Sequence, residues 1–390
     1  MFDLLSLKEE AFGLDISDSA IRVAQAKKTK KGFEVVSLAE KALPQGLIVS
    51  GHIQEISKVA AFIKAALREV VGEKITTPFV ALSLPEGSSF LKIIQLPLMK
   101  EAEAKKAAKF QAENFIPLSL EQVYFDAEII KPLSNHLNHL DVLMVAVPKN
   151  LANSYLEAVK AAGLIPKILE VESISISRAL VKNELSFKPL MIIDFGANRT
   201  RLIFFSGRAV RLTSAILVGS RLLSEKIARF LNLSFEEAEK IKLNYGFPLS
   251  PKIILKGQKK LPDSDLILFN QEVLPENKIA EALVPPLVDL LQQLKSYLNF
   301  YQTHSFHDHL LPDYQNVGIG KVILSGGGSN LKGFSEFLSS GLNLPVELGN
   351  PLINFNPPFL KSVFNFNAAK LRVFTTALGL ALRGALSNDD

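Results

Sequence analysis

Gly13-Leu14-Asp15-Ile16-Ser17-Asp18-Ser19-Ala20-Ile21-Arg22-Val23 and Ile193-Asp194-Phe195-Gly196-Ala197-Asn198-Arg199-Thr200-Arg201-Leu202 share one build. Each has an apolar strand ending in an aspartate, a turn of small or polar residues, and a second strand opening with an arginine and an aliphatic. A strand, a tight turn and a returning strand leave backbone N–H groups pointing into the turn, where a phosphate can accept them. The strand-end aspartate can hold the hydrated metal that accompanies a nucleotide. One such turn would mean little, because Asp-x-Gly and Asp-x-Ser turns are common in hairpins. Two, one in each half of the chain, predict a duplicated fold closing on a phosphate.

The surroundings repeat as well. Strands are predicted at 12–16, 21–26 and 33–38, then a helix at 56–70 with Ile56, Val59, Ala60, Ile63, Ala66, Leu67 and Val70 at three- and four-residue spacing. From Phe187 the order recurs, with strands at 190–194, 201–205 and 208–212 and a helix at 220–231. A strand-strand-strand-helix unit met twice, about 180 residues apart, implies two large lobes rather than a solenoid.

Between the two openings, 79–84 and 90–96 read as a hairpin around Pro85-Glu86-Gly87. A helix at 99–115, strands at 124–130 and 141–147, and a helix at 149–162 stopped by Gly163 follow. The segment 78–167 is expected to be an inserted α+β subdomain of the first lobe, which takes 1–77 and 168–186, with 367–390 packing back on it. The second lobe takes 187–220 and 321–366. Its own insertion, 221–320, carries a charged helix at 234–243, a polar, Pro-rich stretch at 247–277 and a long helix at 279–303.

With 390 residues the chain exceeds one typical core. It has no cysteine, which excludes disulfides and thiolate metal sites. No uninterrupted apolar run approaches the ~20 residues needed to cross a bilayer, and the N-terminus lacks signal-peptide features. The expected location is the cytoplasm. The net charge of +5 is a mild basic bias over this length, and no nucleic-acid partner is expected. The densest basic run, Lys27-Lys28-Thr29-Lys30-Lys31-Gly32, reads as a solvated hairpin tip, with lipid contact as the alternative.

After an apolar strand at 321–324 comes Ser325-Gly326-Gly327-Gly328-Ser329-Asn330, then a helix at 335–338. Consecutive glycines just past a strand let a flat ligand approach the backbone. Other candidates are weaker. His304 and His307, and likewise His136 and His139, have His-x-x-His spacing without a second ligand set. No Gly-x-Ser-x-Gly elbow and no Walker loop occurs, so hydrolase and P-loop readings lose their support.

Asp15, Asp194, the loop 326–334 and the terminal run Phe374-Thr375-Thr376-Ala377-Leu378-Gly379-Leu380-Ala381-Leu382-Arg383-Gly384 resemble the nucleotide motifs of the actin, sugar-kinase and heat-shock ATPase superfamily. More narrowly, the order of parts is similar to the PilM-like family of type IV pilus assembly proteins, itself related to the FtsA cell-division proteins. Phe79-Val80-Ala81-Leu82-Ser83-Leu84-Pro85, Glu113-Asn114-Phe115-Ile116-Pro117-Leu118 and Val145-Ala146-Val147-Pro148-Lys149 resemble phrases of that family's inserted subdomain. The likeness runs from about residue 11 to 385.

The resemblance implies an α/β, actin-like two-lobed fold of duplicated RNase H-like domains that binds ATP with Mg2+. By it, Ser17, Asp18 and Ser19 face one side of the phosphates and Gly196, Ala197, Asn198, Arg199 and Thr200 the other. Asp15 and Asp194 orient magnesium through water; Gly326, Gly327, Gly328 and Asn330 line the nucleoside; Glu239 and Lys242 touch ribose and base. Glu239 and Lys242 also read as a solvated ion pair on one helix face.

One departure stands out: Ser17-Asp18 occupies positions where relatives carry a glycine and a small hydroxyl residue. A carboxylate facing phosphates is repulsive unless a cation intervenes; either Arg199 offsets it across the cleft or Asp18 points to solvent. Of Glu170 and Glu172, neither matches a water-positioning acid, so the expectation is nucleotide binding, with turnover and catalytic residues left open.

The implied role is a cytoplasmic component of the pilus assembly platform, peripheral to the membrane through its partner. That partner is the N-terminal tail of a PilN-type membrane protein, docked between the inserted subdomain and the first lobe. Self-assembly is left open. The alternatives are a degenerate, nucleotide-free scaffold of a secretion or division complex, and an actin-fold ATPase or kinase.

Overall fold

The computed structural model describes residues 10–133, 137–246, 266–269, 272–304, 309–314, 317–356 and 367–386. Two sheets with the same strand order organise it. In the first lobe, Gly32–Ala42, Ala20–Thr29, Phe12–Ile16, Phe79–Leu84 and Ile165–Val171 lie side by side, with the two-residue Val71–Gly72 beyond Gly32–Ala42. In the second, the order is Ala209–Ile216, Thr200–Gly207, Ser186–Phe195, Lys321–Ser325, Val346–Leu348. Each lobe thus places its third, second, first, fourth and fifth strands in that order. The first three form an antiparallel meander and the last two join in parallel.

Phe12–Ile16 is buried at every position because it is central and covered on both faces. One of its faces meets the helix Ile56–Arg68, whose Val59, Ala60 and Ile63 share a core with Phe12 and Leu14. The second lobe builds its matching core from Ile193, Leu202, Leu223 and Ile227, closed by Leu283, Leu287 and Leu291 of the helix Glu276–His304.

The predicted hairpin around Pro85-Glu86-Gly87 does not form. Phe79–Leu84 pairs in parallel with Phe12–Ile16 and Ile165–Val171, whereas Phe90–Pro97 pairs with His139–Pro148 in a separate three-stranded sheet completed by Val123–Ile129. The helix Lys149–Ala161 also belongs to the first lobe, where Leu151, Tyr155 and Val159 join its core. The segment 78–167 is therefore not one inserted unit. The separate sheet, with Glu101–Ala112 packed on it, starts after Leu84 and ends at Pro148.

The two lobes exchange helices. Glu172–Leu180, which follows the last strand of the first lobe, packs Ile176 and Leu180 against Ile192 and Ile203 of the second-lobe sheet. The C-terminal helix Thr375–Leu386 lays Ala377, Leu378 and Ala381 on the first-lobe strands. The two helices cross in contact: a Cβ on Gly379 would lie 1.8 Å from the Ser175 carbonyl oxygen. Of the polar stretch 247–277, only Leu266–Phe269 and the strand from Glu272, paired as a short hairpin, and the start of the long helix are described. The rest of that expectation, like His136, His307 and residues 387–390, lies outside the described residues.

Candidate functional site

Both strand–turn–strand units place an arginine opposite their aspartate. The antiparallel register pairs Asp15 with Arg22 and Asp194 with Arg201. Arg201 Nη1 donates to Asp194 Oδ2 at 2.8 Å, while Arg22 Nη1 lies 3.7 Å from Asp15 Oδ2 and gives its Nε to Glu40 at 2.9 Å. Arg201 also donates to both carboxylate oxygens of Glu172, from Nε at 2.8 Å and from Nη2. The sequence marks Arg22 and Arg201 only as the openings of the returning strands, and Glu172 only as an acid that does not match a water-positioning one. The signal for the arginines is the equal Asp-to-Arg spacing in both copies, which an antiparallel turn converts into a facing pair.

These acids are buried. Asp15 accepts from Ser83 Oγ at 2.9 Å, yet burial raises its pKa; Arg22 opposes the rise and the nearby Asp194 charge adds to it. Burial likewise pushes Glu172 up to about 7, with Arg201 opposing and Asp15 adding. Glu170 does not face this cleft: it forms a two-pronged pair with Arg178, at 2.6 and 2.7 Å.

The two turns differ. In the second, Gly196 N–H donates to the Arg199 carbonyl at 3.0 Å, and the carbonyls of Gly196 and Ala197 accept from Ser220 and Arg221 at the start of the helix Ser220–Leu231. In the first, the Ser17 hydroxyl is spent on its own turn, accepting from Ala20 N–H at 3.2 Å and donating to Ala20 O at 2.9 Å. Thr200 is placed apart from its neighbours in the turn. Its hydroxyl donates to the Val218 carbonyl at 2.6 Å and is fully buried, so it faces away from the cleft.

The glycine loop abuts the Asp194 strand end. At φ +84° Gly326 has a conformation other residues avoid, and a Cβ there would lie 2.6 Å from Asp194 Oδ1. A Cβ on Gly328 would strike the Phe195 ring at 2.5 Å. These two glycines therefore let the loop approach the aspartate, and with Gly327 they line the cleft. Asn330 is turned aside: its carboxamide donates to Ala369 O and accepts from Arg372, at 3.0 and 2.6 Å.

Lys242 is nearly buried, and its ammonium donates to Ser220 O, Ser220 Oγ and Glu239 Oε2 at 2.9, 2.7 and 2.8 Å. All three ammonium protons are used in tying the helix Phe235–Tyr245 to the start of Ser220–Leu231, and burial lowers its pKa. Of the pair, Glu239 lines the cleft's inner chamber.

Ser17, Asp18, Ser19, Asp15, Asp194, Gly196, Ala197, Asn198 and Arg199 thus converge on one chamber of about 300 Å³. Its donor set suits a magnesium nucleotide: a glycine backbone a Cβ would obstruct, four arginines, and two strand-end carboxylates, of which Asp15 has its counter-charge only at the 3.7 Å of Arg22. Among the described residues no group of three or more His, Asp or Glu could hold a metal by itself. Any magnesium there would complete its shell with water and phosphate oxygens. A separate groove of about 590 Å³ runs between the three-stranded sheet and both lobes.

The family model for type IV pilus assembly protein PilM matches residues 13–255, and that for cell division protein FtsA matches 191–379. A chain of the solved PilM-PilN type IV pilus biogenesis complex superposes with a TM-score of 0.76 and 26% identity, covering 97% of this chain and 99% of that one. MreB5 of Spiroplasma citri, solved with ADP, gives 0.52 at 14% identity and 94% coverage of each chain, a likeness of fold. The FtsA of Enterococcus hirae is 20% identical over 390 residues, covering 94% of this chain and 84% of its own length. The FtsA of Buchnera aphidicola subsp. Baizongia pistaciae is 21% identical over 339, covering 82% and 77%. The fold is the actin-like two-lobed one.

Proposed function

The chain belongs to the family of type IV pilus assembly protein PilM, and on that premise we propose that it binds ATP with Mg2+ between its lobes and docks the tail of a PilN-type membrane protein. The observation that carries the nucleotide half is the convergence of Asp15, Asp194 and the loop at Gly326 on one chamber between duplicated lobes. Magnesium would supply the charge that offsets the phosphates; Asp15 and Asp194 would hold its water shell and Gly196 and Ala197 would meet the phosphates from the second lobe. The test is thermal unfolding with millimolar Mg-ATP, since a ligand bound only by the native state raises stability. A rise of several degrees is expected; no rise favours the nucleotide-free scaffold. Glu172, the acid facing the cleft, is held by Arg201, which favours binding over rapid turnover.

The partner half rests on the separate groove. Its walls include two strands at the edges of their sheets, Val123–Ile129 and Ile165–Val171, and apolar side chains of Val145, Leu169, Phe205 and Val210. An extended segment gains backbone hydrogen bonds from such edges and side-chain anchors from such a floor. Among the described residues no helix is long and apolar enough to cross a membrane, so attachment to the inner face of the cytoplasmic membrane would run through this partner. Leu169→Glu is expected to abolish co-purification with a PilN-type tail while leaving Mg-ATP stabilisation intact; retained co-purification would sink the groove assignment.

A further inference from the structure

The first turn reaches across the cleft and grips the second. Asp18 is anchored on its own lobe, where Oδ1 accepts from Gly51 N–H at 2.9 Å. Its Oδ2 accepts from Asn198 Nδ2 at 3.3 Å and lies 3.6 Å from Arg199 Nη2, both on the second lobe. Beside it, Arg221 Nη2 donates to Gln45 Oε1 at 2.7 Å, again from lobe to lobe. Asp18 and Asn198 line both the inner chamber and an outer one of about 280 Å³, so their contact is part of the wall between the two. Arg199 is confined on its other side, since a Cβ on Gly87 would lie 2.8 Å from its Nη1. A phosphate between the turns needs the donors Asp18 now uses, and a carboxylate there opposes it in charge.

We propose that Asp18 is a latch: its carboxylate occupies the place of a phosphate oxygen, holds the lobes together in the nucleotide-free chain, and must release Asn198 and Arg199 before a nucleotide enters. The identity of the ligand rests on the nucleotide reading above; the latch itself rests on the cross-cleft contacts. It makes Asp18 a specificity-setting residue that favours whichever ligand brings enough cation to neutralise it.

Asp18→Asn tests this, because an amide oxygen can still accept from Gly51 while the charge that holds Arg199 is gone. The chain has no cysteine, so Lys64→Cys and Lys226→Cys, both exposed and one on each lobe, accept spin labels for a pulsed distance measurement. Without nucleotide, Asp18→Asn is expected to give a longer and broader interlobe distance than the parent, and to bind Mg-ATP roughly tenfold more tightly. An unchanged distance distribution overturns the latch, as does an unchanged affinity where the parent binds. A parent that binds no Mg-ATP while the distances still lengthen refutes the nucleotide reading and upholds the latch.

Discussion

The two strand–turn–strand units share a register and differ in where their polar groups point. In the second, Asp194, Arg201 and Glu172 form one buried chain of charge, and the turn's carbonyls are taken up by the start of a helix. In the first, Arg22 is divided between a distant Asp15 and Glu40, and the turn closes on its own Ser17 hydroxyl. Duplication preserved the geometry of the backbone while the charges were redistributed. The second half is tied up by its own hydrogen bonds; the first carries an aspartate whose counter-charge is more distant and a side chain that crosses the cleft.

If that contrast is right, equal substitutions should have unequal costs. Arg201→Gln leaves Glu172 and Asp194 buried with no arginine, which costs about 3–5 kcal/mol, whereas Arg22→Gln, over its longer contact to Asp15, costs about 1–2 kcal/mol. Chemical denaturation of both variants measures the difference, and equal losses would erase the asymmetry. Gly326→Ala is next, at about 2–4 kcal/mol, since it combines a positive φ with a 2.6 Å approach to Asp194 Oδ1.

A further expected effect is in pH dependence. Glu172 is raised by burial to about 7 from 4.5, so its folded form favours the proton. A carboxyl raised on folding adds stability that is complete below about 4.5 and lost as pH rises through about 7. Ligand-free protein should therefore lose stability between those values, on the order of 3 kcal/mol from this group, and Glu172→Gln should flatten that slope. A slope unchanged in the variant would show that Glu172 is ionised throughout.

The lobes were legible because their signals are local. The Asp15 and Asp194 strands, the glycine loop and the helix Ser220–Leu231 are each carried by contiguous pattern, and the repeat supplied their relation. What sequence misassigned depends on distant partners. Phe79–Leu84 and Phe90–Pro97 flank a turn-like Pro85-Glu86-Gly87, and nothing between them says that one pairs with Phe12–Ile16 and the other with His139–Pro148. Thr200 and Lys242 carry plausible side chains for a phosphate or a ribose, but Val218 O and Ser220 claim them, and those acceptors lie 18 and 22 residues away. The aspartate–arginine pairs were readable in principle from the equal spacing in the two copies. Asp18 was readable as a departure, while its grip on Asn198 and Arg199 spans 180 residues and required the folded lobes.

If both turns serve one magnesium nucleotide, titration calorimetry of Mg-ATP on the parent, Asp15→Ala and Asp194→Ala will show it. One nucleotide per chain is predicted, with each variant losing at least about tenfold in affinity when magnesium is present and much less when it is chelated. A parent that binds nothing, or a variant of either aspartate that binds like the parent, would contradict it.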